Sequence, residues 1–184
     1  MEENMVLSNY GVTLRRLTHD KIEMLRQWRN DPEIRQNMVY RETITPEMQE
    51  RWFANLDLSR NFYFIIEYKG IEIGMVNIKN MDHVKKDGEN GIIIYNEKFR
   101  GTDIPYRAFL VMYDWFFEEL GYNNTYSHIL ITNPASKRLG EFMGYDKDVE
   151  NSVGEVEMWN LTRESYLHNA NRARFINKWK KLNK

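Results

Sequence analysis

The stretch GIIIYNEKFRGTDI, residues 91–104, decides the fold prediction for this chain. A short apolar run is followed by a polar turn and then by an aromatic helical pattern, which predicts a strand, a turn and a helix. The N-terminus of such a helix can hold an anion, because free N–H groups and the helix dipole point toward it. Arg100 and Gly101 suit that arrangement, but Asp103 adds negative charge and Pro105 removes an N–H donor. The stretch therefore raises the question of whether the chain binds a phosphorylated cofactor.

After this stretch, the chain alternates between helices and strands. Apolar residues at spacings of four, three and four predict a long core-facing helix that Gly121 ends: Phe109, Tyr113, Phe116 and Leu120. A buried strand is predicted for YSHILIT, residues 126–132, and an alternating late strand for GEVEMWNL, residues 154–161. Between these strands, Asn133 opens a helix that Gly144 ends, and its predicted apolar face consists of Leu139, Phe142 and Met143.

Before this stretch, the chain begins with a strand and is then mostly helical. VTLRRLT, residues 12–18, predicts the first strand, and helices are predicted from Asp20, Pro32 and Pro46. The third helix carries apolar residues at four-residue spacing: Met48, Trp52 and Leu56. The runs FYFIIEY and IEIGMVNIK are rich in β-formers, and the two residues between them, 69–70, predict a hairpin.

The C-terminal region is predicted to be one helix over about residues 163–182. Its segment RARFINKWKKLNK carries six basic residues and no acidic residue. Phe175 and Trp179 lie four residues apart, so they predict an apolar face that packs on the domain while the basic face stays in solvent. A basic surface for nucleic acid or an anionic membrane is the alternative. The whole chain, residues 1–184, is predicted to form one domain, because domains usually have about 100–200 residues.

Composition and charge exclude several classes of protein. The net charge is −1, with 26 basic and 27 acidic residues, so no overall field favours nucleic acid or an anionic membrane. The absence of cysteine excludes disulfides, thiolate metal sites and cysteine nucleophiles. No basic-then-apolar secretory signal is seen, and no apolar run approaches the roughly 20 residues of a membrane span. We therefore expect a soluble cytoplasmic protein that binds no metal, nucleic acid or membrane.

Three segments resemble the GNAT N-acetyltransferase family. GIIIYNEKFRGTDI is similar to the family's fourth strand and acyl-CoA pyrophosphate loop, NPASKRLGEFMGY to its Asn-x-x-Ser/Ala helix, and WRNDPEI with Met38 to its N-terminal substrate region. The resemblance implies a single three-layer α/β/α domain whose mixed, mainly antiparallel sheet is splayed between its fourth and fifth strands. It also implies an acetyl-CoA-dependent enzyme, in a subgroup that includes amino-sugar and ribosomal-protein N-terminal acetyltransferases.

The resemblance places the acetyl-CoA site along the predicted fourth strand and the loop after it. Backbone amides there would bind the pantetheine arm and the acetyl carbonyl oxygen: Ile92, Ile93 and Ile94. The pyrophosphate loop would consist of Arg100, Gly101, Thr102, Asp103 and Ile104, with Asn133 on the pantetheine arm and Arg107 as a further source of positive charge. Asp103 and Pro105 stand where the family has two small residues. A decayed loop on an intact fold is therefore the alternative to a working one.

Acetyl transfer to an amine needs a base for the ammonium proton, donors for the oxyanion and an acid for the departing thiolate. Glu89 matches the family's acidic position on the fourth strand and is the candidate base, with a solvated turn carboxylate as the alternative. The tyrosine that many relatives use as the acid would fall at Gly140, so Ser136 is the candidate substitute. His128 lies within an apolar strand pattern and is expected to be a core histidine.

The acceptor is expected to be a primary amine on a small molecule. The resemblance assigns its binding to Trp28, Arg29, Asn30 and Met38. A guanidinium beside an aromatic ring suits a nucleotide diphosphate, so a nucleotide-linked amino sugar is the first candidate and a protein N-terminus the second. The structural alternative is a core Trp28 and an Arg29 that pairs with a surface acid. A non-catalytic module with this fold remains the alternative function, and a homodimer is one possible assembly.

Overall fold

A computed structural model describes residues 4–183 and contains one mixed sheet. Its strands are β1 (Val6–Asn9), β2 (Val12–Arg16), β3 (Phe62–Tyr68), β4 (Ile71–Asp82), β5 (Asp87–Ile94), β6 (Asn124–Leu130), β7 (Asp146–Val153) and β8 (Val156–Thr162). Their order across the sheet is β1-β2-β3-β4-β5-β6-β8-β7. Every neighbouring pair is antiparallel except β5 and β6, which are parallel.

Helices cover both faces of the sheet and make three layers. They are α1 (Ile22–Asn30), α2 (Pro32–Arg35), α3 (Pro46–Ala54), α4 (Ile104–Tyr113), α5 (Pro134–Met143), α6 (Arg163–Leu167) and α7 (Ala170–Leu182). One core cluster joins α1 and α2 to the sheet, and a larger one joins α4 and its continuation to the opposite face. The predicted α/β/α architecture is therefore confirmed. Within residues 4–183, no helix combines the length and the apolar character needed to cross a bilayer.

The predicted hairpin is present, and a further hairpin precedes it. Lys69 and Gly70 both have positive φ, 51° and 77°, which matches a two-residue turn between antiparallel strands. Strand β1 was not predicted, because its four residues lie at the edge of the sheet and their burial is low. Tyr10 and Gly11, with φ of 52° and 69°, turn it onto β2. The predicted first strand is therefore the second.

A π turn at Asp114–Glu119 changes the core face of the long central helix. Phe109, Tyr113 and Phe116 are buried as predicted, but Leu120 is 38% exposed. A π turn adds a residue to the repeat, so the positions after it rotate about the helix axis. Phe117 is buried beside Phe116, and Leu120 lies just after the last residue of the π turn. The prediction that Leu120 faces the core is therefore wrong.

Two other predicted helix faces also differ from the structure. In α3, Gln49 is buried while Met48 is 37% exposed, and Leu56 lies beyond the end of the helix. In α5, Met143 is buried but Phe142 is 45% exposed and lies edge-on against the Tyr106 ring. The apolar face of both helices is therefore narrower than the sequence pattern suggests.

The C-terminal region forms two helices where one was predicted. Helix α6 ends at Leu167, and the Asn169 side chain then caps α7 by accepting a hydrogen bond from the Arg172 N–H at 2.8 Å. A side-chain cap marks the start of a new helix, because it satisfies an N–H that has no partner within the helix. Phe175 and Trp179 pack against the larger core cluster as predicted. Residues 1–3 and Lys184 of the predicted domain lie outside the described residues.

The sheet is splayed between β5 and β6, the strands predicted as fourth and fifth. Their pairing is confined to Glu89 and Tyr126. Beyond that point, Ile92–Ile94 of β5 pair with β4 alone. The backbone groups of alternate residues on β5 therefore face a gap, and the helix that follows each strand, α4 or α5, begins beside this gap.

Candidate active site

Glu89 lies at the point where the two splayed strands meet. Its side chain is 16% exposed and projects from the middle of β5, so it is not a solvated turn residue. Its Oε1 lies 3.0 Å from Lys79 Nζ and 3.3 Å from His128 Nδ1, and its Oε2 accepts a hydrogen bond from Asn80 at 3.1 Å. The carboxylate thus joins three polar side chains at the head of the gap.

His128 is exposed at this gap, so the prediction of a core histidine is wrong. It projects from β6 two residues beyond Tyr126, where β6 no longer pairs with β5. Splaying leaves that face of β6 uncovered, although its sequence reads as a buried strand. The contact with Glu89 joins a carboxylate to one ring nitrogen and leaves the other nitrogen, Nε2, free to accept a proton.

Arg29 of α1 and Tyr63 of β3 lie on the α1 side of the sheet, and Tyr63 is close enough to Glu89 for that carboxylate to influence its pKa. No described residue accepts a hydrogen bond from the Arg29 guanidinium, and its Nε is sealed from solvent without a partner. Burial lowers the pKa of Arg29, and its nearest titratable neighbours are Tyr63 and Tyr40. Burial also raises the pKa of Tyr63 to about 12, so this phenol stays a neutral donor. The proposed pairing of Arg29 with a surface acid is not found.

The other predicted acceptor residues have structural contacts. Trp28 is buried and stacks on Tyr95 with ring centroids 5.4 Å apart. The Asn30 side chain both accepts from the Ile44 N–H and donates to the Ile44 carbonyl, each at 2.8 Å. Met38 packs against the smaller core cluster. Trp28, Asn30 and Met38 thus have packing or hydrogen-bonding contacts within the fold, whereas the Arg29 guanidinium has no described hydrogen-bond acceptor.

Arg100 fixes the loop after β5 and does not point freely toward a ligand. It donates from Nε to the Ile94 carbonyl at 2.9 Å, from Nη2 to the Tyr95 carbonyl at 2.8 Å, and from Nη1 to Glu33 at 2.6 Å. The guanidinium therefore ties the end of the strand to α2. The expectation that Arg100 itself supplies charge to a pyrophosphate is not supported by these contacts.

The Asp103 side chain does not cap α4, although the residue directly precedes that helix. Its side chain makes no capping hydrogen bond and instead pairs with Arg107 one turn later, at 2.5 Å. Thr102 Oγ1 takes the capping place and accepts from the Ile104 N–H at 3.3 Å. The negative charge that Asp103 brings to the loop is therefore paired with Arg107, the residue predicted as a further source of positive charge.

The loop nevertheless retains donors that fit a pyrophosphate. No described residue accepts a hydrogen bond from the N–H groups of Gly101, Asp103 and Tyr106. These groups lie at the start of α4, where the helix dipole favours an anion. Gly101 has φ of +72°, and the space where a Cβ would project is open, so the backbone there is accessible. The residues present therefore fit the phosphates of acetyl-CoA through backbone donors.

Strand β5 and helix α5, on either side of the gap, fit the rest of acetyl-CoA. The Tyr95 N–H donates to the Ile73 carbonyl on β4. Backbone groups alternate in direction along a strand, so those of Ile93 face β4 and those of Ile92 and Ile94 face the gap. Asn133 caps α5 by accepting from the Ser136 N–H at 3.1 Å. The Ser136 hydroxyl makes no hydrogen bond to a described residue.

Gly140 lies where the resemblance places the family's tyrosine. The residue is buried, and a Cβ there would make ordinary van der Waals contacts of 3.6 Å with Trp159 and 3.7 Å with Tyr145. Tyr145 lies nearby, but its hydroxyl is buried in a short hydrogen bond with Tyr113. Neither position supplies an accessible phenol, so Ser136 remains the candidate for the acid.

Comparison with known proteins identifies the class of protein to which this fold and site belong. The family model for the acetyltransferase (GNAT) domain matches residues 12–146, well over half of the chain. The chain therefore belongs to the GNAT acetyltransferase family, and it is an acyl-CoA-dependent enzyme that transfers an acetyl group from acetyl-CoA to an amine. A search of curated protein sequences found no match.

Solved structures share the fold at low sequence identity. Spermidine N-acetyltransferase from Vibrio cholerae, solved with CoA and spermine, aligns with a TM-score of 0.72 and 20% identity over 87% of this chain and 100% of that one. The dodecameric structure of the same enzyme aligns with a TM-score of 0.69 and 19% identity over 88% of this chain and 99% of that one. A domain from Methanocaldococcus jannaschii aligns with a TM-score of 0.72 and 22% identity over 82% of this chain and 97% of that domain.

Proposed function

We propose that this enzyme acetylates the primary amine of a small molecule that also carries a negative charge, with a nucleotide-linked amino sugar as the leading candidate. The observation that carries the proposal is Arg29, a largely buried guanidinium with no acidic partner among residues 4–183. A buried charge is costly unless it is paired, so a site built with one is complementary to an anion. A diphosphate is a good partner, because a guanidinium can donate two parallel hydrogen bonds to it.

The positions of Arg29 and Glu89 together define the geometry of such an acceptor. Tyr63 is close enough to both groups for each to influence its pKa. An acceptor bound here would place its anionic part at Arg29 and its amine at Glu89, with the Tyr63 hydroxyl between them as a donor. A polycation such as spermine meets an uncompensated positive charge at Arg29, which disfavours it in this part of the site.

A second candidate acceptor is a cationic amine, and one feature of the structure favours it. A cleft of about 360 Å³ beside Trp28 and Tyr95 is lined by four acidic residues: Asp31, Glu33, Glu72 and Glu97. Three of these carboxylates already have partners. Asp31 caps α2, Glu33 pairs with Arg100, and Glu72 pairs with Lys21. The cleft therefore has less free negative charge than its composition suggests, and we rank this acceptor second.

The proton from the acceptor ammonium has a route out through the Glu89 and His128 pair. With the Nδ1 hydrogen directed at Glu89, the Nε2 lone pair of His128 can take the proton directly or through a water molecule. Glu89 holds the ring in that tautomer and stabilises the imidazolium that forms. Acetyl-CoA supplies the acetyl group as a thioester when it is bound. Ser136 provides a hydroxyl at the start of α5 for the sulfur side of the gap.

The test is a set of acceptors assayed with the wild type and two variants. We expect turnover of a UDP-linked amino sugar at a rate well above that of spermidine or a peptide with a free N-terminus. Arg29→Gln should raise KM for the nucleotide sugar by about tenfold or more while KM for acetyl-CoA is unchanged. Arg15→Gln is the matched control, because Arg15 already pairs with Glu67 at 2.8 Å. Spermidine as the better acceptor, or an unchanged KM in Arg29→Gln, would contradict the proposal.

A further inference from the structure

A second cavity lies on the α4 face of the sheet, opposite the face that carries Glu89. It encloses about 420 Å³, within the range of about 300–1,000 Å³ that is usual for small-molecule sites. Its walls are mainly apolar and come from the start of β3, the end of β4 and the π turn. The main apolar residues are Phe62, Met81, Trp115 and Leu120.

Two cationic side chains line this cavity, Arg16 and Lys86, together with the polar residues Ser59, His83 and Tyr122, and none of its described lining residues is acidic. Arg16 is 8% exposed, and its guanidinium carbon lies 4.3 Å from the centre of the Phe62 ring. It donates from Nη2 to the carbonyls of Leu58 and Asn61, at 2.6 and 3.5 Å. No carboxylate among residues 4–183 forms an ion pair with Arg16.

Arg16, Lys86 and His83 each keep hydrogen-bonding groups that are free for a ligand. The Nε and Nη1 groups of Arg16 have no described acceptor and are not among the polar atoms sealed from solvent, and the Arg16 residue lines the cavity. Lys86 Nζ lies 5.1 Å from the centre of the Tyr122 ring and pairs with no described carboxylate. His83 Nδ1 contacts the Tyr122 hydroxyl at 2.5 Å, which leaves its Nε2 free.

Carboxylates described on the adjoining turns lie near this cavity but form no ion pair with Arg16, His83 or Lys86. Asp57 Oδ1 accepts hydrogen bonds from the backbone and hydroxyl of Ser59, at 2.9 and 2.6 Å. Asp82 Oδ1 accepts from the backbone N–H groups of Val84 and Lys85, at 2.8 and 2.9 Å. Each acid is held within its own turn, so the cavity presents cations beside an apolar wall.

We propose that this cavity is a second binding site, separate from the acetyl-transfer site, for a small carboxylate with an apolar body. The carboxylate contacts Arg16 and Lys86, and the apolar body lies between Phe62, Met81 and Trp115. The charge of the site selects an anion, because a buried guanidinium gains most from a partner that replaces its lost water. The walls select an apolar or aromatic body, because they bury it from water.

The proposal is tested by calorimetry with three carboxylates and one neutral analogue. The probes are benzoate, octanoate, 4-phenylbutyrate and 4-phenylbutan-1-ol, and the last two share the same apolar body. We expect 4-phenylbutyrate to bind about tenfold or more tightly than the alcohol, because the alcohol lacks the charge that the guanidinium recognises. Saturating acetyl-CoA should leave the carboxylate affinity unchanged, since the two sites lie on opposite faces of the sheet.

Three variants and one control locate the site. Arg16→Gln and Lys86→Gln remove the charges, and Leu120→Trp fills the mouth of the cavity while it keeps both charges. Each should weaken 4-phenylbutyrate binding severalfold or more, and Leu120→Trp should retain acetyl-CoA affinity, which shows that it is folded. Lys69→Gln is the matched control, because Lys69 also lies over a tyrosine ring, at 5.4 Å from the centre of Tyr68, but far from the cavity.

Three results would overturn the proposal. They are failure of all three carboxylates to bind at millimolar concentration, equal affinities for the acid and the alcohol, and unchanged affinity in Leu120→Trp. The first would show that the cationic cavity recognises no carboxylate, the second that charge is not recognised, and the third that binding occurs elsewhere.

Discussion

At the scale of single residues, the proton route that we propose depends on two side chains from different strands. Glu89 comes from β5 and His128 from β6, and they meet because the strands pair at this one position. Lys79 Nζ also lies 3.0 Å from Glu89 Oε1 and shares its negative charge. A paired carboxylate is a poor proton acceptor itself but a good group to orient an imidazole. This is why we assign the proton to His128 and the orienting role to Glu89.

The first prediction concerns this pair. Glu89→Gln and His128→Gln should each lower kcat by a factor on the order of a hundred, because each removes general-base catalysis. KM for acetyl-CoA should change little, since neither side chain lies on the pyrophosphate loop. The measurement is steady-state release of the CoA thiol at neutral pH with a saturating acceptor.

Glu67→Gln is the matched control for this prediction, since Glu67 is a carboxylate on β3 of the same sheet and pairs with Arg15 at 2.8 Å. It should leave kcat unchanged. Full activity in His128→Gln with loss in Glu89→Gln would show that Glu89 takes the proton itself. Full activity in both would remove the pair from the mechanism.

At the scale of elements, we propose that the phosphates of acetyl-CoA bind at the start of α4. Pro105 removes one donor, and Asp103 pairs with Arg107 instead of capping the helix. Arg107 also lies against the aromatic side of α7, with its guanidinium carbon 5.2 Å from the centre of the Trp179 ring. The loop therefore relies on backbone N–H groups and on the helix dipole, with little help from a free cation.

The second prediction follows from this pairing. Asp103→Asn removes a negative charge from the first turn and releases Arg107, so KM for acetyl-CoA should fall by about two- to fivefold. The change keeps the size of the side chain, so kcat should be unaffected. KM is measured at saturating acceptor in low-salt buffer, where the charge is least screened.

Glu47→Gln provides the comparison, because Glu47 occupies the first turn of α3 and lies outside the proposed cofactor loop. It should leave KM for acetyl-CoA unaltered. A higher KM in Asp103→Asn would mean that the ion pair with Arg107 supports the shape of the loop, and our account of it as a competing interaction would be incorrect.

At the scale of the whole molecule, Asp114 joins four parts of the chain. It accepts hydrogen bonds from the hydroxyl of Tyr10 in the first hairpin, at 2.6 Å, and of Tyr166 in α6, at 2.5 Å. Arg172 of α7 donates to it at 2.9 Å and also pairs with Glu118. The π turn that carries Asp114 thereby fastens both ends of the chain to the central helix.

The third prediction tests this connection. Asp114→Asn should lower the free energy of unfolding by roughly 2–3 kcal/mol, because it leaves the largely buried Arg172 without its inner carboxylate and weakens two tyrosine hydrogen bonds. The measurement is equilibrium unfolding in urea, followed by circular dichroism. A single transition with a lower midpoint is expected.

The control is Glu119→Gln, which changes an exposed acid on the same π turn and should shift the midpoint very little. If Asp114→Asn were as stable as the wild type, the cluster would not be what holds α7 in place. Packing of Phe175 and Trp179 would then be the main attachment.

Much of the fold could be predicted because local patterns determine it. The turn at 69–70, the starts of α2, α3 and α5, and the ends at Gly121 and Gly144 each depend on the conformational preference of one or two residues. Such preferences act over a few residues and need no distant partner. They also gave the order of strands and helices from which the family resemblance followed.

Other features depend on contacts between residues far apart in the chain, and no local pattern contains them. The π turn, the break before α7 and the edge strand β1 are stabilised by partners such as Tyr10, Tyr166 and β2. The candidate site also combines local and long-range information. Glu89 and Arg29 were identified as candidates from the sequence, whereas the positions of Tyr63 and Lys79 beside them depend on the register of β3, β4 and β5.

The sequence by itself determined the order of elements, the helix ends and the chemistry available, because these depend on residue type and near neighbours. Only the tertiary structure decided where that chemistry is used. It exposes His128 beside Glu89, engages Arg100 and Arg107 with carboxylates, and leaves Arg29 without one. The physical reason is that charge pairing and burial are set by which strands and helices come together, and residues far apart in the chain make those contacts.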